Sequence, residues 1–106
     1  MEFIETSIFT KQIRTLLHDD DYASLQETLA KHPQAGDVIP GGGGLRKIRW
    51  GSKHVGKGKR GGLRVVYYCE SEDRIYLLFA YDKARQGDLT RPQLKALSDY
   101  VRGGLL

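Results

Sequence analysis

A chain of 106 residues, 40 % hydrophobic and 28 % charged, has material for one core and one domain but not for two. No apolar run approaches the roughly 18 residues of a membrane span and no basic-then-apolar secretory leader is read, so the cytoplasm is the expected compartment. One cysteine, Cys69, excludes an internal disulfide framework and a cysteine-based zinc site, and the net charge of +4 is only mildly basic.

The spacing predicts elements in the order β-α-α-β-β-β-α. Glu2-Phe3-Ile4-Glu5 alternates with β-branched and aromatic content, which reads as a strand. Thr6 or Ser7 can cap a helix over residues 8–17, where Phe9, Ile13, Leu16 and Leu17 recur at helical spacing. Asp19-Asp20-Asp21 breaks that helix and offers a cap and dipole-complementing charge to a second one. Tyr22, Leu25 and Leu29 give the second helix an apolar face, and His32-Pro33 ends it. Residues 33–44 read as loop. Strands are predicted over Leu45–Trp50, Leu63–Cys69 and Ile75–Tyr81, the last two joined by a turn at Glu70-Ser71-Glu72-Asp73. Thr90-Arg91-Pro92-Gln93 has the form of a capping box, and Leu94, Leu97 and Val101 continue as a final helix ended by Gly103-Gly104. Three consecutive strands with short connections imply an α+β fold with a small antiparallel sheet and a helical hairpin.

Charge is concentrated in the middle of the chain. Val38 through Cys69 contains no Asp or Glu and eight cations, while the remainder has nine basic and thirteen acidic residues, net −4. One-signed charge without neighbouring acids is the footprint of a polyanion partner, against the plainer reading of a solvated basic face. The segment Gly51 to Gly62 exceeds an ordinary hairpin loop and carries Lys53, His54, Lys57, Lys59 and Arg60 among glycines. Glycine backbone can lie close to a phosphate chain while lysines beside it supply charge.

Several chemical motifs fail on inspection. Gly51 to Lys57 matches the start of a phosphate-binding loop, but Gly58 stands where a magnesium-ligating hydroxyl belongs, so nucleotide hydrolysis is rejected. His18, His32 and His54 have no ligand spacing, and no metal or cofactor is expected. Cys69 in an apolar strand reads as an inert thiol. There remains a set of cations on strands. Lys47 and Arg49 share a face, opposite Arg46, Ile48 and Trp50; Arg64 begins the next strand; Lys83 follows the last. Such a set can stabilise the extra charge of a pentacovalent phosphate. Crowding among like charges can also bring a lysine amine into the range where it moves protons. The competing reading is outward-facing polar residues on a half-exposed sheet.

Leu45-Arg46-Lys47-Ile48-Arg49, Gly58-Lys59-Arg60-Gly61-Gly62, Arg64-Val65-Val66-Tyr67-Tyr68 and Tyr76-Leu77-Leu78 through Tyr81-Asp82-Lys83 together resemble the RelE/HigB family, toxins of bacterial toxin–antitoxin pairs. The likeness is to the HigB-type branch and runs over nearly the whole chain. It implies the RelE-like fold and a ribosome-dependent endoribonuclease that cuts messenger RNA without a metal and so inhibits translation. The RNA 2′-hydroxyl would attack the adjacent phosphorus.

Carried over by position, the catalytic candidates are Lys47, Arg49, Arg64 and Lys83, with Arg46, Lys53, His54, Lys57, Lys59 and Arg60 as RNA- or ribosome-binding residues. Lys47 is a base candidate, whereas an arginine can supply only charge and hydrogen bonds. Ala84 stands where some members have a second arginine, and Gly87 to Thr90 lacks the tyrosine some carry. Tyr81 or Trp50 would stack a base or else pack the core. The implied partners are the ribosome, messenger RNA and a cognate antitoxin with a helix-turn-helix domain. A ParE-like gyrase inhibitor and a non-enzymatic RNA- or ribosome-binding module are the alternatives.

Overall fold

The structure is a computed structural model and describes residues 1–51 and 62–103. The strand Glu2–Glu5 (β1) is followed by the helix Ser7–Leu16 (α1), and Thr6 joins them. Its Oγ1 accepts from the Phe9 N–H at 3.1 Å, capping the helix, and donates to the Leu78 carbonyl at 2.8 Å. The second helix, Asp19–Lys31 (α2), differs from expectation at its start. His18 is its N-cap residue without a side-chain cap bond, and all three aspartates lie in the first turn, where their charge opposes the helix dipole favourably.

After α2 come the two-residue strand Asp37–Val38 (β2) and the strands Arg46–Trp50 (β3), Leu63–Ser71 (β4) and Arg74–Asp82 (β5), and then the helix Arg91–Arg102 (α3). The fold is α+β, as expected, with five strands and three helices among the described residues. The sheet order is β1-β5-β4-β3-β2. It is mixed rather than antiparallel: β1 runs parallel to β5, while the other neighbours are antiparallel. Alternation along a strand specifies its two faces and says nothing of the direction of its partner, so the parallel edge has no signal in the sequence. No helix among the described residues is long and apolar enough to cross a membrane.

Both faces of the sheet are covered. Phe9, Ile13 and Leu17 with Leu25 and Leu29 pack one face, against Ile48, Leu63, Val65, Tyr67, Ile75, Leu77 and Ala80. The other face holds Leu45, Val66, Tyr76, Leu78, Phe79 and Tyr81 under Leu94, Leu97, Tyr100 and Val101 of α3. Seven consecutive buried residues in β5 follow from this double cover. At the start of α3 the Thr90–Gln93 capping box forms in both directions. The helix ends at Gly103, as expected, where the Gly103 N–H donates to the Asp99 carbonyl at 2.8 Å, and Gly104 lies outside the described residues. Two other glycines are required by geometry. Gly44 sits at φ +103° with space for a Cβ only 3.0 Å from the Tyr68 ring, and a Cβ on Gly36 would fall 2.8 Å from the Tyr67 ring.

Candidate functional site

The antiparallel register aligns the candidate cations. Arg49 of β3 lies directly opposite Arg64 of β4, and Arg64 directly opposite Tyr81 of β5, which makes one cross-strand row. The adjacent row is Lys47, Val66 and Phe79. Since side chains alternate, Lys47, Arg49, Arg64 and Tyr81 occupy the same face, the one α3 covers. The register thus brings two arginines to facing positions on neighbouring strands.

Exposure differs among the cations. Arg49 is exposed and Lys47 half-buried, whereas Arg64 is only 6 % exposed and donates from an Nη to the Gly62 carbonyl at 3.1 Å. Its guanidinium therefore lies beneath the surface that Arg49 and Lys47 present. Lys83 is exposed in the turn after β5, and its backbone N–H donates to the Gly62 carbonyl at 3.3 Å, which brings that turn beside the start of β4. Arg46 is not part of this group. Its register partner is Tyr67, on the α1–α2 side, and its Nη1 donates to the carbonyls of Gly36 at 2.8 Å and Gln34 at 3.4 Å. Lys53, His54, Lys57, Lys59 and Arg60, together with most of the phosphate-loop-like stretch, lie outside the described residues.

The structure adds a carboxylate that sequence reading passed over. Asp88, in the loop between β5 and α3, places Oδ1 3.1 Å from the Lys47 Nζ and 3.2 Å from the Tyr81 hydroxyl, and the same oxygen accepts from the Leu89 N–H at 2.8 Å. The Leu89 N–H, and then the Lys47 ammonium, hold the Asp88 carboxyl below the usual carboxylate range. Burial first, and the neighbouring Asp88 charge second, push the Tyr81 hydroxyl up to about 12. At neutral pH the arrangement thus holds an ionised carboxylate and a protonated phenol that donates to it. Tyr81 is buried and packs with Phe79, ring centroids 6.2 Å apart, so it serves the core and shows the site only its hydroxyl. Trp50 faces away, donating from Nε1 to the Asp21 carbonyl at 3.2 Å. Base stacking by either ring has no support in this geometry.

No signal in the sequence joins Asp88 to Lys47, 41 residues earlier; only the sheet register and the return of the chain after β5 do. Among the described residues no group of three or more His, Cys, Asp or Glu is placed to hold a metal ion. Cys69 is partly buried, its Sγ donates to the Pro33 carbonyl at 3.3 Å, and burial pushes the thiol up, which fits the inert reading. Taken together, the exposed Arg49, the half-buried Lys47 and Arg64 beneath them can hold a phosphate diester and stabilise charge developing on it. No protein-family model matches the chain.

Proposed function

We propose that this chain is a cytoplasmic toxin of the RelE/HigB type, with the RelE-like fold, and a ribosome-dependent endoribonuclease acting on messenger RNA. The observation that carries the reading is the row Arg49–Arg64–Tyr81 with Lys47 beside it on the same face. Arginines opposite one another on two strands, with a lysine beside them, concentrate positive charge on one face, which suits an anionic ligand.

The reaction in this reading is an internal transesterification. The 2′-oxygen forms a bond to phosphorus, the bond to the 5′-oxygen breaks, and the products are a 2′,3′-cyclic phosphate and a 5′-hydroxyl. The 2′-hydroxyl loses its proton and the departing oxygen gains one. Lys47 and Arg49 hold the phosphate oxygens by charge-assisted hydrogen bonds. Arg64, in a less polar setting beneath them, adds positive potential where the extra negative charge develops. Lys83 contributes to the cationic rim, and the Lys53–Arg60 segment supplies charge toward ribosomal RNA. An antitoxin with a helix-turn-helix domain is the expected regulating partner.

The test is purified protein in a translating extract. Discrete cuts in messenger RNA that require the ribosome, with cyclic phosphate ends, are the expected result. Loss of DNA supercoiling without cuts would assign gyrase as the target, and ribosome binding without cuts would assign a binding module; either result would overturn the proposal.

A further inference from the structure

An acidic side chain within a cationic face is a liability for binding a polyanion, and Asp88 is such a residue. Its side chain is 68 % exposed, so burial does not explain it. It is also firmly placed. Leu89, next in sequence, packs on the apolar cluster under α3. Gln86 donates from Nε2 to the Asp88 carbonyl at 2.9 Å and also to the Gln93 Oε1, the oxygen that accepts from the Thr90 N–H in the capping box. The loop is thereby tied to the first turn of α3 on one side and to the sheet on the other. Lys47 has a second acid near it, Asp37, its register partner on the edge strand β2, yet its ammonium pairs with Asp88.

We propose that Asp88 is a positioning residue whose Oδ1 fixes the Lys47 ammonium and the Tyr81 hydroxyl relative to each other at the end of the sheet. A lysine has a long, flexible stem, and an ammonium free to wander is a poor partner for a phosphate that must be held in line for displacement. A carboxylate anchored on a different element removes that freedom for Lys47. A local role confined to the Asp88–Leu89 turn would require neither Lys47 nor Tyr81.

This inference rests on the nuclease reading for its kinetic consequence but not for its structural one. Asp88→Ala should lower the rate of cutting on the ribosome about ten- to a hundredfold while leaving affinity for the ribosome unchanged or slightly tighter, since one negative charge is gone. Asp88→Asn should recover much of the rate, because its amide oxygen can accept from the same two donors. In parallel, nuclear magnetic resonance of the free protein should show the Lys47 side-chain amine and the Tyr81 ring shifting in both variants, more in Asp88→Ala. If wild-type protein does not cut, the nuclease reading falls and the resonance shifts alone decide whether Asp88 orders the two groups. Unshifted Lys47 and Tyr81 signals would overturn the proposal. So would full cutting by a folded Asp88→Ala variant. Equal inactivity of Asp88→Asn and Asp88→Ala would point to proton transfer by the carboxylate and would also overturn it.

Discussion

The two faces of the sheet are made from alternate residues of the same strands, and they are put to different uses. On the α1–α2 face every position of β3 is committed to the fold. Ile48 is in the core, Trp50 bonds to the Asp21 carbonyl, and Arg46 ties down the carbonyls of Gln34 and Gly36. On the α3 face the helix covers Val66, Phe79 and Tyr81, and the same β3 strand sends Lys47 and Arg49 to that side. A cation's neighbours decide its role. Arg46 and Arg49 are three residues apart in one strand, yet one is tied to two backbone carbonyls and the other faces a second arginine across the sheet.

The largest effect should separate two sequence neighbours on opposite faces. Val65→Ala removes buried methyl groups from a fully enclosed site and should cost on the order of 2 kcal/mol in urea unfolding. Cutting per folded molecule should be unchanged. Arg64→Ala should instead reduce cutting about a hundred- to a thousandfold, because a cation near developing negative charge acts mostly on the transition state. Arg64 is itself buried, so Arg64→Lys serves as the folding control; it keeps a charged stem but should rescue poorly without the planar fork. If both alanine variants lose stability and retain cutting, the two faces do not differ in the way described.

Most of this contrast was legible in the sequence, because it depends on local alternation. The period of two in Arg46–Trp50 sorted its residues onto the correct faces, and the Thr90–Gln93 spacing located α3 through its cap. What failed was non-local or too short to have a period. Asp37-Val38 gives no pattern as a two-residue strand, and the parallel pairing of β1 with β5 joins residues 72 apart. The bond from Arg46 to the Gly36 carbonyl likewise has no signal in its own neighbourhood in the sequence. Asp88 was missed for the same reason, its partners being Lys47 and Tyr81 on two different strands.

The next effect sharpens what kind of cation the α3 face presents. Lys47 is ion-paired at 3.1 Å with a carboxylate that stays ionised, an arrangement suited to supplying charge. Lys47→Ala should therefore slow cutting strongly, while Lys47→Arg, which keeps the charge and can still reach Asp88, should stay within about tenfold of wild type. A folded Lys47→Arg variant as inactive as Lys47→Ala would assign proton transfer to the amine instead.

The smallest effect concerns the hydroxyl at the end of the cation row. Tyr81 is buried and donates to Asp88, and its hydroxyl is pushed from an ordinary 10.0 up to about 12. The native state thus keeps its proton through a range in which the unfolded chain has lost it. By linkage, the stability this group contributes is fully present below about pH 10 and is lost as pH rises through about 12. Tyr22 and Tyr67 are also raised by burial and titrate late, so the measurement must be a difference between proteins. Subtracting the alkaline phenolate absorbance of a Tyr81→Phe variant from that of wild type should leave one transition near pH 12. The variant should also lose less stability than wild type between pH 10 and 12. At neutral pH it should keep the fold, since the ring remains, and lose only the hydrogen bond to Asp88, worth about 1 kcal/mol in a setting this close to solvent. A difference transition near pH 10 would mean that the hydroxyl is neither buried nor bonded to Asp88, contrary to the arrangement described.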